Sequence, residues 1–179
     1  MRTGGPVHYL GGYCAAGPAA LKQEPCAFNT GNPAMPLPSF LLIGACLAMV
    51  VLTLAVGGVL LFTRVREMRV KRIAPQALAT SLAMTARLEN VQAADNFRNL
   101  FEVPVLFYAL AAVALAAGHV PPWLVACAWL YVLLRAVHSA IHCTYNDVRH
   151  RLAVFLASFL LLAGMWAAFF CLLHAGRSA

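Results

Sequence analysis

The sequence predicts an all-α integral membrane protein, an antiparallel bundle of four transmembrane helices. Three observations carry that prediction. The 179 residues are 62% hydrophobic and 11% charged, which is too little charge to clothe a water-facing globule. Two uncharged runs, residues 40–62 and 152–173, are long enough as helix to cross a hydrocarbon core of about 30 Å. Between them, two shorter apolar runs flank a Gly-His-Val-Pro-Pro turn at Gly118 to Pro122.

Residues 1–38 are rich in glycine and proline and show no apolar period. They read as a flexible amino-terminal extension, with too little hydrophobic surface to offset the entropy of ordering. They lack the continuous apolar stretch of a signal peptide, and Met35 offers an alternative start just before the first hydrophobic segment. The membrane domain is expected over residues 39–176.

The first helix follows from the run 40–62 and the last from the run 152–173, where Ser158 and Gly164 suit close helix packing. The inner runs, 103–117 and 121–134, reach only about 21 to 23 Å as helix. Each must therefore extend through polar neighbours, 97–102 for the second helix and 135–141 for the third. Ionisable groups are thereby drawn to membrane depth.

Orientation is read from the basic residues. The stretch from Arg64 to Arg98 carries Arg66, Arg69, Lys71, Arg72 and Arg87 as well, whereas the turn between helices two and three offers only His119. By the positive-inside rule the first and third loops are cytoplasmic and both termini lie outside. The formal charge of +7 is thus a topology signal, and nucleic-acid binding is not expected. Six cysteines without a CxxC pair give neither a disulfide framework nor a zinc knuckle.

Residues equally distant from the turn lie at equal depth in an antiparallel pair, so Glu102 falls level with Arg135 and His138. On the helical wheel Asp95, Arg98, Asn99 and Glu102 cluster on one side of helix two. Arg135, His138, His142, Tyr145, Asn146 and Arg149 do so on helix three. Charges turned to lipid cost several kcal/mol, so the two stripes are expected to face each other in a shared buried site. The bland reading is structural glue, with Glu102 paired to Arg135. The excess of arginine at this end favours an anionic ligand instead, since guanidinium presents a planar donor fork to carboxylates. His138 and His142 form an HxxxH pair, a weak metal signal without the intervening Glu of zincins, and no metal is expected.

The segment Asn99-Leu-Phe-Glu102-Val-Pro104-Val-Leu-Phe-Tyr, followed by Arg135-x-x-His138-x-x-x-His142 and on to Arg149 and Arg151, resembles the MAPEG family, the membrane-associated proteins in eicosanoid and glutathione metabolism, in its bacterial branch. The resemblance covers about residues 40–174. It implies a homotrimer that binds glutathione in a cleft between subunits, near the cytoplasmic face of a bacterial inner membrane. Arg66, Arg98, Asn99, Glu102, His138 and Arg151 match family glutathione contacts, with Arg151 as the catalytic arginine beside the thiolate. Arg135 and His142, in the same polar stripe, complete the candidate binding set.

The implied activity is a glutathione-dependent transferase or peroxidase acting on lipophilic electrophiles taken from the bilayer. The alternative is a non-catalytic membrane binding or assembly protein. The sequence departs from the family pattern at Val91-Gln92, where a Glu-Arg pair is usual, at Ala77, where an acid is common, and at His142, where tyrosine is expected. Pro104 follows Glu102 by two residues rather than four.

Overall fold

The computed structural model describes residues 35–88 and 92–176. The expected amino-terminal extension falls almost wholly within residues 1–34, outside the described residues. Helix α1 spans Leu37–Val70, and a short 3₁₀ turn, Pro75–Leu78, leads to α2, Ser81–Arg87. Then follow α3, Gln92–Glu102, α4, Pro104–Ala116, α5, Pro122–Cys143, and α6, Val148–Ala175. Four helical spans are long and apolar enough to cross a membrane: α1, the joined α3–α4 segment, α5 and α6.

Helix boundaries follow local chemistry. Pro36, Pro104 and Pro122 stand at helix starts, where a missing N–H costs nothing. Pro104 divides the second span into α3 and α4, and Leu106 N–H turns back to the Val103 carbonyl at 3.0 Å to tighten the joint. After α4 the chain closes with Gly118 at φ 64°. His119 N–H reaches the Ala114 carbonyl at 3.2 Å there, a left-handed glycine stop. Asp147 opens α6 by accepting from the backbone N–H of Arg149 at 2.8 Å and His150 at 3.2 Å. Those two bonds hold its exposed carboxyl below the ordinary aspartate range.

The core is a column of interlocking side chains. Leu42, Ala45, Met49 and Val56 come from α1, and Phe107, Leu110, Ala111 and Ala114 from α4. They meet Leu124, Ala128 and Tyr131 of α5 and Leu162, Met165 and Phe169 of α6. Phe107 stacks on Tyr131 with ring centroids 4.9 Å apart. Gly57 lets α1 approach α3 closely, since a β-carbon there would meet the Phe97 ring at 3.0 Å. Trp166 Nε1–H donates to the Leu106 carbonyl at 3.1 Å, tying α6 to α4. In hydrocarbon, contacts of this kind and not water exclusion hold helices together.

Candidate functional site

The antiparallel register expected about the 119–120 turn is present. Asn96 and Cys143 stand equally far from it, and Asn96 Nδ2–H donates to Cys143 Sγ at 3.3 Å. Ser139 Oγ–H donates to Asn96 Oδ1, also at 3.3 Å. Asn96 is fully buried and ties α3 to α5, a role the expected set omits. One cue was available in the sequence: Asn96 is the polar member of the repeat Ala93, Asn96, Leu100, Pro104, Phe107, Ala111, whose members are all buried.

That repeat overturns the expected facing of the two stripes. Asp95, Arg98 and Glu102 lie about half a helical turn away from it, and all three are exposed. Glu102 therefore points away from α5. Among the described residues it has no ion-pair partner, so the alternative reading of a Glu102–Arg135 lock is not met within the chain. No group of three metal-ligating side chains gathers among the described residues either, so Glu102 does not join His138 and His142 in a metal-sized cluster.

Arg135 is 0% exposed. Its Nε–H donates to Tyr131 Oη at 3.2 Å, and its guanidinium carbon lies 5.4 Å from the Tyr131 ring centre and 5.1 Å from that of Phe155. Nη1 and Nη2 have no hydrogen-bond partner. The two aromatic faces compensate part of the buried charge. Arg135 thus stands behind the site, enclosed by rings that its spacing did not reveal.

The cavity itself is built from three helices. Asn99 of α3, His138 of α5 and Val148, Arg151, Leu152 and Phe155 of α6 line about 220 Å³. His138 Nδ1 lies 3.2 Å from the Arg151 carbonyl. A carbonyl only accepts, so Nδ1 carries a proton, and Nε2, where the lone pair lies when the ring is neutral, is buried without a partner. Arg151 Nη1 donates to Asn146 Oδ1 at 2.9 Å and lies 3.3 Å from His142 Nε2. Of the expected set, the structure brings Asn99, His138, His142 and Arg151 together. Arg66, Arg98 and Glu102 are exposed and line no part of this cavity.

At one end of an apolar four-helix bundle, a largely apolar cavity therefore holds Arg151, His138 and Asn99 beside Val148, Leu152 and Phe155. The MAPEG family model matches residues 41–171, most of the chain. The protein belongs to that family, and with it to the membrane proteins of glutathione and eicosanoid metabolism. No curated protein and no solved structure matches the chain.

Proposed function

We propose that the protein is a glutathione-dependent transferase or peroxidase acting on lipophilic electrophiles, working as a homotrimer in a bacterial inner membrane. The observation that carries this reading is Arg151. Its guanidinium is fixed by two acceptors at the wall of a cavity whose other wall is apolar.

The residues present fit a tripeptide thiol. The Nε and Nη2 edge of Arg151 makes no hydrogen bond to any described residue, Asn99 offers an amide, and the unpartnered His138 Nε2 accepts an N–H. A thiol is a poor nucleophile until ionised, and a guanidinium beside the sulfur favours thiolate in a partly desolvated cleft. The S–H proton leaves to water, the sulfur forms a bond to the electrophilic carbon, and the leaving group departs with the bonding pair. Val148, Leu152 and Phe155 supply the apolar approach for the second substrate.

At about 220 Å³ the cavity falls below the roughly 300 Å³ from which small-molecule sites usually start. In this reading a second copy covers the outward stripe, with two consequences. It enlarges the site with Arg98 and Glu102, and with Arg66 from α1, and it removes their cost against lipid. Arg135 and His142 then serve from behind, as supports of the wall.

Titration of the detergent-purified protein with glutathione, followed by calorimetry and by ultraviolet thiolate absorbance, tests the proposal. Binding with a thiolate signal is expected, and Arg151→Ala should remove the signal and lower conjugation by about 100-fold or more. Absence of glutathione binding, or full activity in Arg151→Ala, refutes it.

A further inference from the structure

His142 and Asn146 converge on one nitrogen. Arg151 Nη1 carries two hydrogens, and the structure supplies two acceptors for them, Asn146 Oδ1 at 2.9 Å and His142 Nε2 at 3.3 Å. Guanidinium only donates, so this contact requires a lone pair on His142 Nε2 and places the ring proton on Nδ1. A doubly protonated ring has no acceptor to offer and sets a second cation against the first. The other nitrogens of Arg151 are left for whatever enters the cavity.

The backbone is arranged to the same end. Asn146 adopts φ 48°, a left-handed conformation that is uncommon for any residue with a side chain and that asparagine tolerates better than most. Its N–H bonds the Ile141 carbonyl at 2.9 Å, closing α5, and the turn carries its amide to α6. One helical turn nearer the membrane centre, His138 Nδ1–H holds the Arg151 carbonyl. Arg151 is thus gripped at both ends, backbone and guanidinium, by groups from outside its own helix.

We infer that His142 and Asn146 form a clamp that positions the Arg151 guanidinium, and that the clamp works only while His142 is neutral. The inference deepens the reading of Arg151 as the thiolate-holding group and rests on it for its consequence, but not for its geometry. His142 is a positioning residue and touches no reacting atom. The charged and titratable groups that act on it are Arg151 on α6, Asp95 on α3 and, on its own helix, His138, whose ring centre lies 5.8 Å away. Protonation of the ring removes the acceptor that Nε2 offers to Arg151. Acid is therefore expected to open the clamp and free the arginine.

The test measures Arg151 directly. The full chain in detergent is treated with phenylglyoxal, an arginine-specific reagent, and adducts at Arg151 and at exposed Arg149 are quantified by peptide mass spectrometry. The ratio of the two rates cancels the reagent's own pH dependence. His142→Leu and Asn146→Gly should each raise the Arg151:Arg149 ratio about fivefold, the worth of one hydrogen bond. The glycine keeps the left-handed backbone and removes only the acceptor. His142→Gln, a non-titrating acceptor, should restore the wild-type ratio and abolish the rise in that ratio that the wild type shows in acid.

Unchanged ratios in both His142→Leu and Asn146→Gly overturn the clamp, as does an acid rise that persists in His142→Gln. If the ratios move as expected but the protein binds no glutathione, the clamp stands and the thiol reading alone falls.

Discussion

Arg135 gives the sharpest test of how this bundle holds buried charge. Consider Arg135→Met, an apolar side chain of comparable length. The substitution removes one hydrogen bond from a charged donor to Tyr131 Oη, about 1.5 to 3 kcal/mol, and two cation–π contacts of roughly 0.5 to 2 kcal/mol each. Against this, it relieves the desolvation of a guanidinium that is 0% exposed and whose Nη1 and Nη2 have no partner, a penalty of several kcal/mol.

The terms nearly cancel, so Arg135→Met should change stability by no more than about 1 kcal/mol. Arg135→Ala leaves an unfilled space between the two rings and should cost about 2 to 5 kcal/mol. Arg135→Lys should also be harmful, because an ammonium loses the planar contact with both rings. Thermal unfolding in detergent, followed by loss of the folded peak on size exclusion, orders the three variants. A loss of 3 kcal/mol or more in Arg135→Met refutes the reasoning, since it reveals an anionic partner for those two nitrogens.

The cap of α6 and the α3–α5 bridge yield two further expectations. Asp147 is held below its ordinary value of 3.8 by the N–H groups of His150 and Arg149. A carboxyl whose folded value is depressed contributes stability that is present above the unfolded value and lost as pH falls through the folded one. Amide hydrogen exchange at residues 149 and 150 should therefore lose protection only below about pH 4. Asp147→Asn, which caps without titrating, should remove that pH dependence. Asn96→Leu breaks the bonds to Ser139 and Cys143 and should destabilise the bundle by about 1 to 2 kcal/mol, read by the same unfolding assay. A neutral outcome there would mean that Ser139 and Cys143 find other partners.

The spans were legible in the sequence because hydrocarbon imposes a length. The extension of the short runs through 97–102 and 135–141 also followed from that length, and the hydrogen bond from Asn96 to Cys143 bears out the register. The facing of α3 was not legible, for a physical reason. In a soluble helix the polar side marks the outside, but in a bilayer both faces are apolar and a charged stripe is costly against lipid. Turning Asp95, Arg98 and Glu102 toward α5 was the answer for a single chain. The structure instead gives that interior face to Ala93, Asn96 and Leu100, chosen by size and fit, properties that a polarity wheel does not weigh. Nor did spacing along α5 reveal that the HxxxH pair serves Arg151, because that depends on the chain's return through Asn146.

The separation of these two polar sets bears on why the site lies where it does. The α5 set is closed within the protomer: Arg135 sits between aromatic rings, and His138 and His142 bear on Arg151. Of the α3 set, Asn99 joins the cavity, whereas Asp95, Arg98 and Glu102 are exposed and form no ion pair among the described residues. Charges so displayed are tolerable at the headgroup boundary or under the cover of another copy, and are costly against acyl chains. In the proposed trimer each chain would supply a preformed Arg151 on its inside and an exposed Arg98 and Glu102 on its outside. A site completed only where two such surfaces meet is compatible with Arg135 and Asn96 stabilising the single bundle. Substitutions at those inner residues should act on unfolding, whereas Glu102→Gln should leave protomer unfolding unchanged and act on association and ligand affinity. Equal effects of Glu102→Gln on protomer unfolding and on association would place the carboxylate back inside the bundle and contradict the outward face of α3.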